Sequence, residues 1–217
     1  MIRVLIADDQ EMARDGLALM LSRADDIEVV ATAADGREAV EAAHRVRPDV
    51  CLLDVRMPRL GGVEACVELR REFGSGGAQV VIVTTFDEDR VVDDALSAGA
   101  VGFLLKSASA ALVIEAVRAA ASGDGLVAPE ITGRLLRRLA AAPDPAAPTQ
   151  EPFDALTERE EDVVALVAAG HTNAEIAELL HLSVATVKTH VNAILTKLGA
   201  RNRVELAAFA FRTGRVT

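Results

Sequence analysis

Five short apolar runs alternate with amphipathic stretches through the first part of the chain, and this alternation restricts the architecture more than any other feature. The runs are IRVLIA, IEVVATA, DVCLLD, QVVIVTT and VGFLLK. They are apolar on both faces, as strands covered from both sides must be. Residues 11–22, 36–47, 63–73, 89–97 and 109–122 carry helical spacing instead. Five repeats of strand then helix predict a parallel sheet with helices on both faces. Right-handed crossovers make it a doubly wound α/β sheet of five strands.

The pattern stops at a linker. The segment AAPDPAAPTQEP, Ala141 to Pro152, holds four of the chain's seven prolines and has no apolar periodicity. It reads as extended chain. The expected division is a first domain at 1–122, a linker at 123–153 with a helix near 129–140, and a second domain at 154–217. The second domain has helical pattern alone. TERE, TNAE and NRVE each place a Thr or Asn cap three residues before Glu, so helices should begin near Thr157, Thr172 and Asn202, with another after Ser183.

Composition excludes several classes. With 51% hydrophobic residues but only 3% aromatic ones, no Trp and no Tyr, the cores must be aliphatic. No apolar run reaches the roughly 18–20 residues that span a membrane. The start, MIRVLIADDQ, has no signal-peptide pattern, so a cytoplasmic protein without membrane partners is expected. The two cysteines, Cys51 and Cys66, are expected to be reduced and structural. The net charge of −10 argues against indiscriminate nucleic-acid binding, yet the charge is unevenly spread. Residues 154–182 carry one base and seven acids, net −6, whereas residues 183–217 carry six bases and one acid, net +5. That basic end suits one local anionic partner.

In open parallel sheets, ligands bind beyond the carboxyl ends of the strands. Here those ends carry Asp8-Asp9, Asp54, Thr84-Thr85 and Lys106. Each has an ordinary reading by itself: acids favoured at a helix start, a turn residue, a β-former, a solvated charge. Together they bring three carboxylates, a hydroxyl and an ammonium to one edge. Three carboxylates repel one another and call for a hard cation, Mg²⁺ or Mn²⁺. Such an ion, with Lys106, offsets charge on a phosphoryl group. No P-loop and no G-x-G-x-x-G is present to hold a nucleotide. The phosphoryl group must then end on the protein, and Asp54 is the candidate nucleophile.

These residues, with LLDVRMP, VTTFDED and AGAVGFLLK, make residues 1–122 resemble the receiver domain of two-component response regulators, which has a flavodoxin-like fold. The resemblance implies Asp54 as phosphoacceptor, Asp9 as a direct metal ligand assisted by Asp8, and the backbone carbonyl of Arg56 as a further ligand. It implies that Thr84 and Lys106 contact the phosphoryl oxygens. Phe103 falls at the switch aromatic, and lacking a hydroxyl it must signal by packing. Thr84 would be drawn in by the phosphoryl oxygens, leaving room for Phe103 to turn inward.

In the second domain, Val184, Val187, Val191, Ile194 and Leu198 follow a 3-4-3-4 spacing and should form a buried stripe. Lys188, Thr189, Asn192 and Thr196 lie on an adjacent arc, with donors and acceptors suited to base edges and phosphates. The short link His181-Leu182 to the preceding helix fits a helix-turn-helix. An all-helical packing module with a solvated polar face is the plainer reading. The segment LTEREEDVVALVAAGHTNAEIAELLHLSVATVKTHVNAILTKLGARNRVELAAFA, however, resembles the LuxR-type helix-turn-helix. In that family the second helix of the pair enters the major groove and the last helix dimerises. Candidate DNA-contacting residues are Thr186, Lys188, Thr189, His190, Asn192 and Thr196. Asn192 departs from family members that carry Lys there. His190 suits either a phosphate contact or packing at the helix flank. His44, His171 and His181 show no ligand spacing and read as structural or solvated.

Both resemblances together imply a response-regulator transcription factor of the NarL/FixJ type. Its partners would be a histidine kinase, double-stranded promoter DNA, a second copy of the chain when phosphorylated or DNA-bound, and RNA polymerase. It would be no enzyme beyond catalysing its own phosphorylation and dephosphorylation. Two rivals are a phosphohydrolase with an aspartyl nucleophile and a phosphorylation-independent DNA binder that uses its first domain to dimerise. The hydrolase would want a second acid two residues after Asp54, where Arg56 stands. The intact acid, Thr and Lys set disfavours the other.

Overall fold

A computed structural model describes residues 1–74, 77–85, 94–124, 126–127, 156–169, 171–200 and 202–212. The chain divides into two compact units, Met1–Ile131 and Thr132–Thr217.

In the first unit the apolar runs form the expected strands: β1 (Ile2–Ala7), β2 (Ile27–Ala33), β3 (Val50–Asp54), β4 (Gln79–Thr84) and β5 (Gly102–Leu105). They alternate with α1 (Glu11–Leu21), α2 (Gly36–Val46), α3 (Gly62–Phe73) and, after β5, α4 (Ala110–Ser122). A sixth strand, β6 (Leu126–Val127), pairs in parallel with β5. The sheet order is β2-β1-β3-β4-β5-β6, and every pairing is parallel. The five-strand expectation is thus extended by two residues of what was read as linker, and the first unit runs past residue 122. The helix anticipated over 89–97 is seen at 94–97 only, because residues 86–93 lie outside the described set. The helix anticipated near 129–140 and the Pro-rich segment also lie outside it.

Helices α1 and α4 pack together on one face of the sheet, and α2 and α3 on the other. Between them β3 is buried along its whole length, and Val4–Ala7 and Val80–Thr84 are likewise buried. The core is almost wholly aliphatic, with Phe103 its largest side chain. Cys51 and Cys66 are buried, free thiols. Burial pushes both pKa values up to about 12, so neither offers a thiolate at neutral pH.

In the second unit α5 (Glu158–Ala168), α6 (Asn173–Leu180), α7 (Val184–Leu198) and α8 (Arg203–Arg212) enclose a small core of Val163, Val164, Val167, Ile176, Val187, Val191, Ile194 and Leu206. Thr157 with Glu160, and Thr172 with Glu175, form complete capping boxes at the starts of α5 and α6. Each such cap contributes about 1 kcal/mol. Asn202 Oδ1 accepts from the Glu205 amide at 2.8 Å, the third anticipated cap. Between α6 and α7, His181 adopts a left-handed backbone (φ 55°), and the Leu182 amide closes onto the Ala177 carbonyl at 2.8 Å. The turn is sharp and short, as a helix-turn-helix requires.

Candidate functional site

Sheet register sets the first site. Ala7 lies beside Leu53, Asp54 beside Val83, and Thr84 beside Leu105. The strands therefore end level, and the residues one step further on β1 and β5 are Asp8 and Lys106. The crevice lies where β1 is flanked by β2 and β3, the point at which strand order reverses.

Asp8, Asp9 and Asp54 each offer a carboxylate oxygen within 4.8 Å of the others. Lys106 Nζ lies 2.5 Å from Asp8 Oδ2 and 3.3 Å from Asp54 Oδ2. Asp54 is only 6% exposed. Burial pushes its carboxyl above the usual carboxylate range, the Lys106 ammonium opposes that, and the Asp8 carboxylate adds to it. For Lys106 burial acts to lower the pKa. Contact with Asp8 and the charges of both acids outweigh burial and hold the ammonium above its ordinary value.

The acids are not committed to capping α1. The N-cap of that helix is Gln10, which has no side-chain cap bond. Asp8 Oδ1 accepts from the Gln10 amide at 3.0 Å. Asp8 Oδ2 is buried and has the Lys106 ammonium 2.5 Å away as its ion-pair partner. Three carboxylates gathered around a single ammonium, two of them buried, are a donor set that a hard divalent cation completes. Arg56 follows two residues after Asp54, in the turn to α3, with an exposed side chain.

Two features of the site escaped the sequence. Arg14 Nη1 donates to the Asp8 carbonyl at 2.7 Å, which fixes the backbone that presents both acids. Gly62 is essential to the approach of α3: a Cβ there would stand 2.1 Å from the Asp54 carbonyl oxygen. The contact behind Gly62 joins it to backbone eight residues earlier and leaves no local signal in the sequence.

Thr84 is buried, with its carbonyl accepting from the Lys106 amide at 2.8 Å. Phe103 is fully buried. A hydrocarbon ring with no hydroxyl has nothing to hold it at the surface, and burial stabilises it.

The second site is α7. Val187, Val191 and Ile194 are buried as the stripe requires, and Leu198 is partly buried. Val184 is 39% exposed instead. It is the first residue of the helix, directly after the Ser183 cap, so it overhangs the end of the core. Thr189, Asn192 and Thr196 are exposed, and Thr186, Lys188 and His190 are partly so. The hydroxyls do not all point outward as donors. Thr189 Oγ1 donates to the Ala185 carbonyl at 3.0 Å and Thr196 Oγ1 to the Asn192 carbonyl at 2.9 Å. Thr186 Oγ1 lies 2.8 Å from Ser183 Oγ, within the helix cap. The Thr189 and Thr196 oxygens can still accept, but their protons are engaged, whereas either hydroxyl can donate in the Ser183–Thr186 contact. The other basic residue on α7, Lys197, is turned into the fold, with Nζ 2.7 and 2.9 Å from the two oxygens of Glu160.

Of the other histidines, His44 has Nε2 2.5 Å from Glu72 Oε2 and its ring 4.8 Å from that of Phe73. His171 lies 3.8 Å from Glu175 across one helical turn. Among the described residues, no cluster of three metal-ligating side chains includes a histidine.

Comparisons with known proteins match both units of the chain. The response regulator receiver domain family matches residues 4–118, and the luxR family of bacterial regulatory proteins matches residues 154–210. The transcriptional regulatory protein LiaR of Bacillus subtilis (strain 168) is 40% identical over 98% of this chain and 98% of its own. The response regulator protein VraR of Staphylococcus epidermidis (strain ATCC 12228) is 37% identical over 97% of each chain. Among solved structures, the response regulator ChrA of a heme-sensing two-component system is 34% identical over 98% of each chain, with a TM-score of 0.53. Among the described residues, no helix is long and apolar enough to cross a membrane. With an acid-and-lysine cluster at the strand ends of its first unit and a helix-turn-helix later in the sequence, the chain belongs to the two-component response regulators, as a receiver domain followed by a LuxR-family DNA-binding domain.

Proposed function

We propose that Asp54 accepts a phosphoryl group from a partner histidine kinase and that this modification governs DNA binding through α7. The supporting observation is the buried Asp54 carboxylate, 3.3 Å from Lys106 Nζ and clustered with Asp8 and Asp9. Asp8, Asp9, Asp54 and the Arg56 carbonyl would hold Mg²⁺ or Mn²⁺. When bound, that ion supplies positive charge against the phosphoryl oxygens.

An Asp54 carboxylate oxygen attacks phosphorus, the O–P bond forms and the N–P bond of the donor's phosphohistidine breaks, with the imidazole leaving as it takes a proton. Lys106 offsets the charge that arrives on Asp54, and the Thr84 hydroxyl donates to a phosphoryl oxygen. The burial of Asp54 limits access of water and protects the acyl phosphate. Such chemistry is confined to the chain's own phosphorylation and dephosphorylation, so the protein acts as a regulator.

Contacts made only in the modified state shift the receiver between two conformations. Repacking around Thr84 and the buried Phe103 carries that change. DNA recognition rests on α7, with Lys188 contacting phosphate or base and Thr189, Asn192 and Thr196 serving mainly as acceptors. Two copies bind half-sites roughly 10 base pairs apart, and RNA polymerase is the further partner at a promoter.

Labelling tests the chemistry. Acetyl phosphate with Mg²⁺ should phosphorylate the wild type, EDTA should prevent it, and Asp54→Asn should take no label. Undiminished label on Asp54→Asn would refute the assignment. Rapid turnover with release of phosphate would favour the phosphohydrolase, and no label on wild type would favour the phosphorylation-independent binder.

A further inference from the structure

The turn that joins β3 to α3 contains a non-glycine residue in a left-handed conformation, Arg59 at φ 61°. An arginine there is disfavoured, because its Cβ crowds the following carbonyl. Something must hold it. Its guanidinium reaches across to the start of α2, where Nη2 pairs with Asp35 Oδ2 and lies 3.0 Å from Glu38 Oε1.

Both acids divide their oxygens between two tasks. Asp35 Oδ1 accepts from the Glu38 amide at 3.0 Å and so caps α2, while Oδ2 faces Arg59. Glu38 Oε2 accepts from the Ala34 amide at 2.9 Å, while Oε1 faces Arg59. The Asp35 side chain is buried, so its charge depends on this one guanidinium more than an exposed ion pair would. The backbone adds a second tie, since the Gly36 amide donates to the Leu60 carbonyl at 3.0 Å. A Cβ on Gly36 would stand 2.5 Å from that oxygen, so the two segments meet without room for a side chain. Within the turn the Gly62 amide donates to the Val55 carbonyl at 3.0 Å. Residues 55–61 are thus closed on themselves and fastened at Arg59 to the N-terminus of α2. The phosphoacceptor is the residue just before that turn, and Arg56 lies within it.

We propose that Arg59 is a positioning residue for phosphorylation: its ion pairs with Asp35 and Glu38 hold the turn after Asp54 in the conformation that binds the divalent cation. The proposal rests on the reading of Asp54 as phosphoacceptor. Arg59 touches neither the carboxylate cluster nor an incoming phosphoryl group, and it acts through the backbone it holds.

The test uses the full chain and three single variants. Arg59→Gly removes the tether yet accepts the left-handed backbone. Asp35→Asn keeps an oxygen to cap α2 but loses the charge. Arg59→Lys keeps the charge and should restore part of the function. Hydrogen exchange without metal reads the tether directly: the Gly36 and Gly62 amides should exchange faster in Arg59→Gly and in Asp35→Asn. Phosphorylation by acetyl phosphate, titrated with Mg²⁺, reads its consequence. Residues behind a metal ligand typically alter affinity by about 10–100-fold. Because Arg59 acts through backbone, the Mg²⁺ midpoint should rise by about tenfold, the low end of that range, with the level at saturating Mg²⁺ unchanged. The Arg59→Gly/Asp35→Asn double variant should be no worse than either single one. Unchanged exchange and midpoint in both single variants would overturn the proposal. So would a lower melting temperature without a shifted midpoint, or additive effects in the double variant. A wild type that takes no label would refute the Asp54 reading and the metal-affinity half of the proposal, and exchange would still decide the tether.

Discussion

Lys197→Met should destabilise the DNA-binding domain without altering how it meets DNA. In the basic C-terminal segment Lys197 looks like a phosphate contact, but its Nζ donates to both oxygens of Glu160 at 2.9 and 2.7 Å. The same carboxylate accepts from the Thr157 amide at 2.8 Å and the Thr157 hydroxyl at 3.1 Å. The Glu160 side chain is 7% exposed and that of Lys197 36%. Breaking a fully buried pair costs about 3–5 kcal/mol. Water at the lysine end screens this pair, and Thr157 remains as donor, which reduces the cost to about 2 kcal/mol. At about 4–8 °C per kcal/mol for a domain of this size, one transition should move down by about 8–16 °C.

The pH dependence follows from Glu160. The Lys197 ammonium, with the Thr157 amide behind it, holds its carboxyl below the ordinary value of 4.5. A group depressed in the folded state stabilises above its unfolded pKa and loses that contribution as pH falls through the folded one. The gap between wild type and Lys197→Met should therefore be full at neutral pH and shrink below pH 4.5. Calorimetry of the full chain at several pH values measures it. At a temperature where both proteins are folded, the salt dependence of duplex binding should be the same. A shift under about 2 °C at neutral pH would refute the energetic reasoning. A salt slope flattened by about one unit would show that Lys197 contacts phosphate after all.

Three further outcomes are expected. Gly62→Ala drives a Cβ to 2.1 Å from the Asp54 carbonyl, a backbone atom that cannot swing aside; it should cost about 1–3 kcal/mol and slow labelling. Gly16→Ala, with nothing within 4 Å of the added carbon, should stabilise the same domain by about 0.4–1 kcal/mol, and thermal melts compare the two. On α7, Lys188→Ala should flatten the salt dependence of duplex binding by about one unit, read in titrations at several salt concentrations.

The strand ends were legible because a parallel sheet aligns them. Once IRVLIA, DVCLLD, QVVIVTT and VGFLLK are strands of one sheet, Asp8, Asp54, Thr84 and Lys106 must share an edge. Helix starts were legible because a cap and its Glu lie three residues apart, within reach of a reader of sequence. What stayed hidden depends on distant partners or on rotamers. Glu160 and Lys197 are 37 residues apart, and neither has a local motif that announces the other. Asp35 and Arg59 meet only when α2 and the turn after β3 are side by side. The Thr189 and Thr196 hydroxyls bond back to their own helix, a choice that spacing does not record. Strand β6 is two residues long, too short to leave a periodic signal. Val184 fits the apolar stripe yet lies at the helix end, where the core has run out.

The most direct test of the account joins the two domains in one measurement. Wild type and Asp54→Asn are each incubated with acetyl phosphate and Mg²⁺, then titrated against a duplex enriched from a random pool by the phosphorylated wild type. A coupling of about 1–3 kcal/mol between phosphorylation and DNA binding should tighten wild-type binding by about 5–150-fold. Asp54→Asn should bind at the unphosphorylated level under all conditions. Equal tightening in Asp54→Asn, or phosphorylated wild type that binds no better than unmodified protein, would contradict the claim that Asp54 governs the helix-turn-helix.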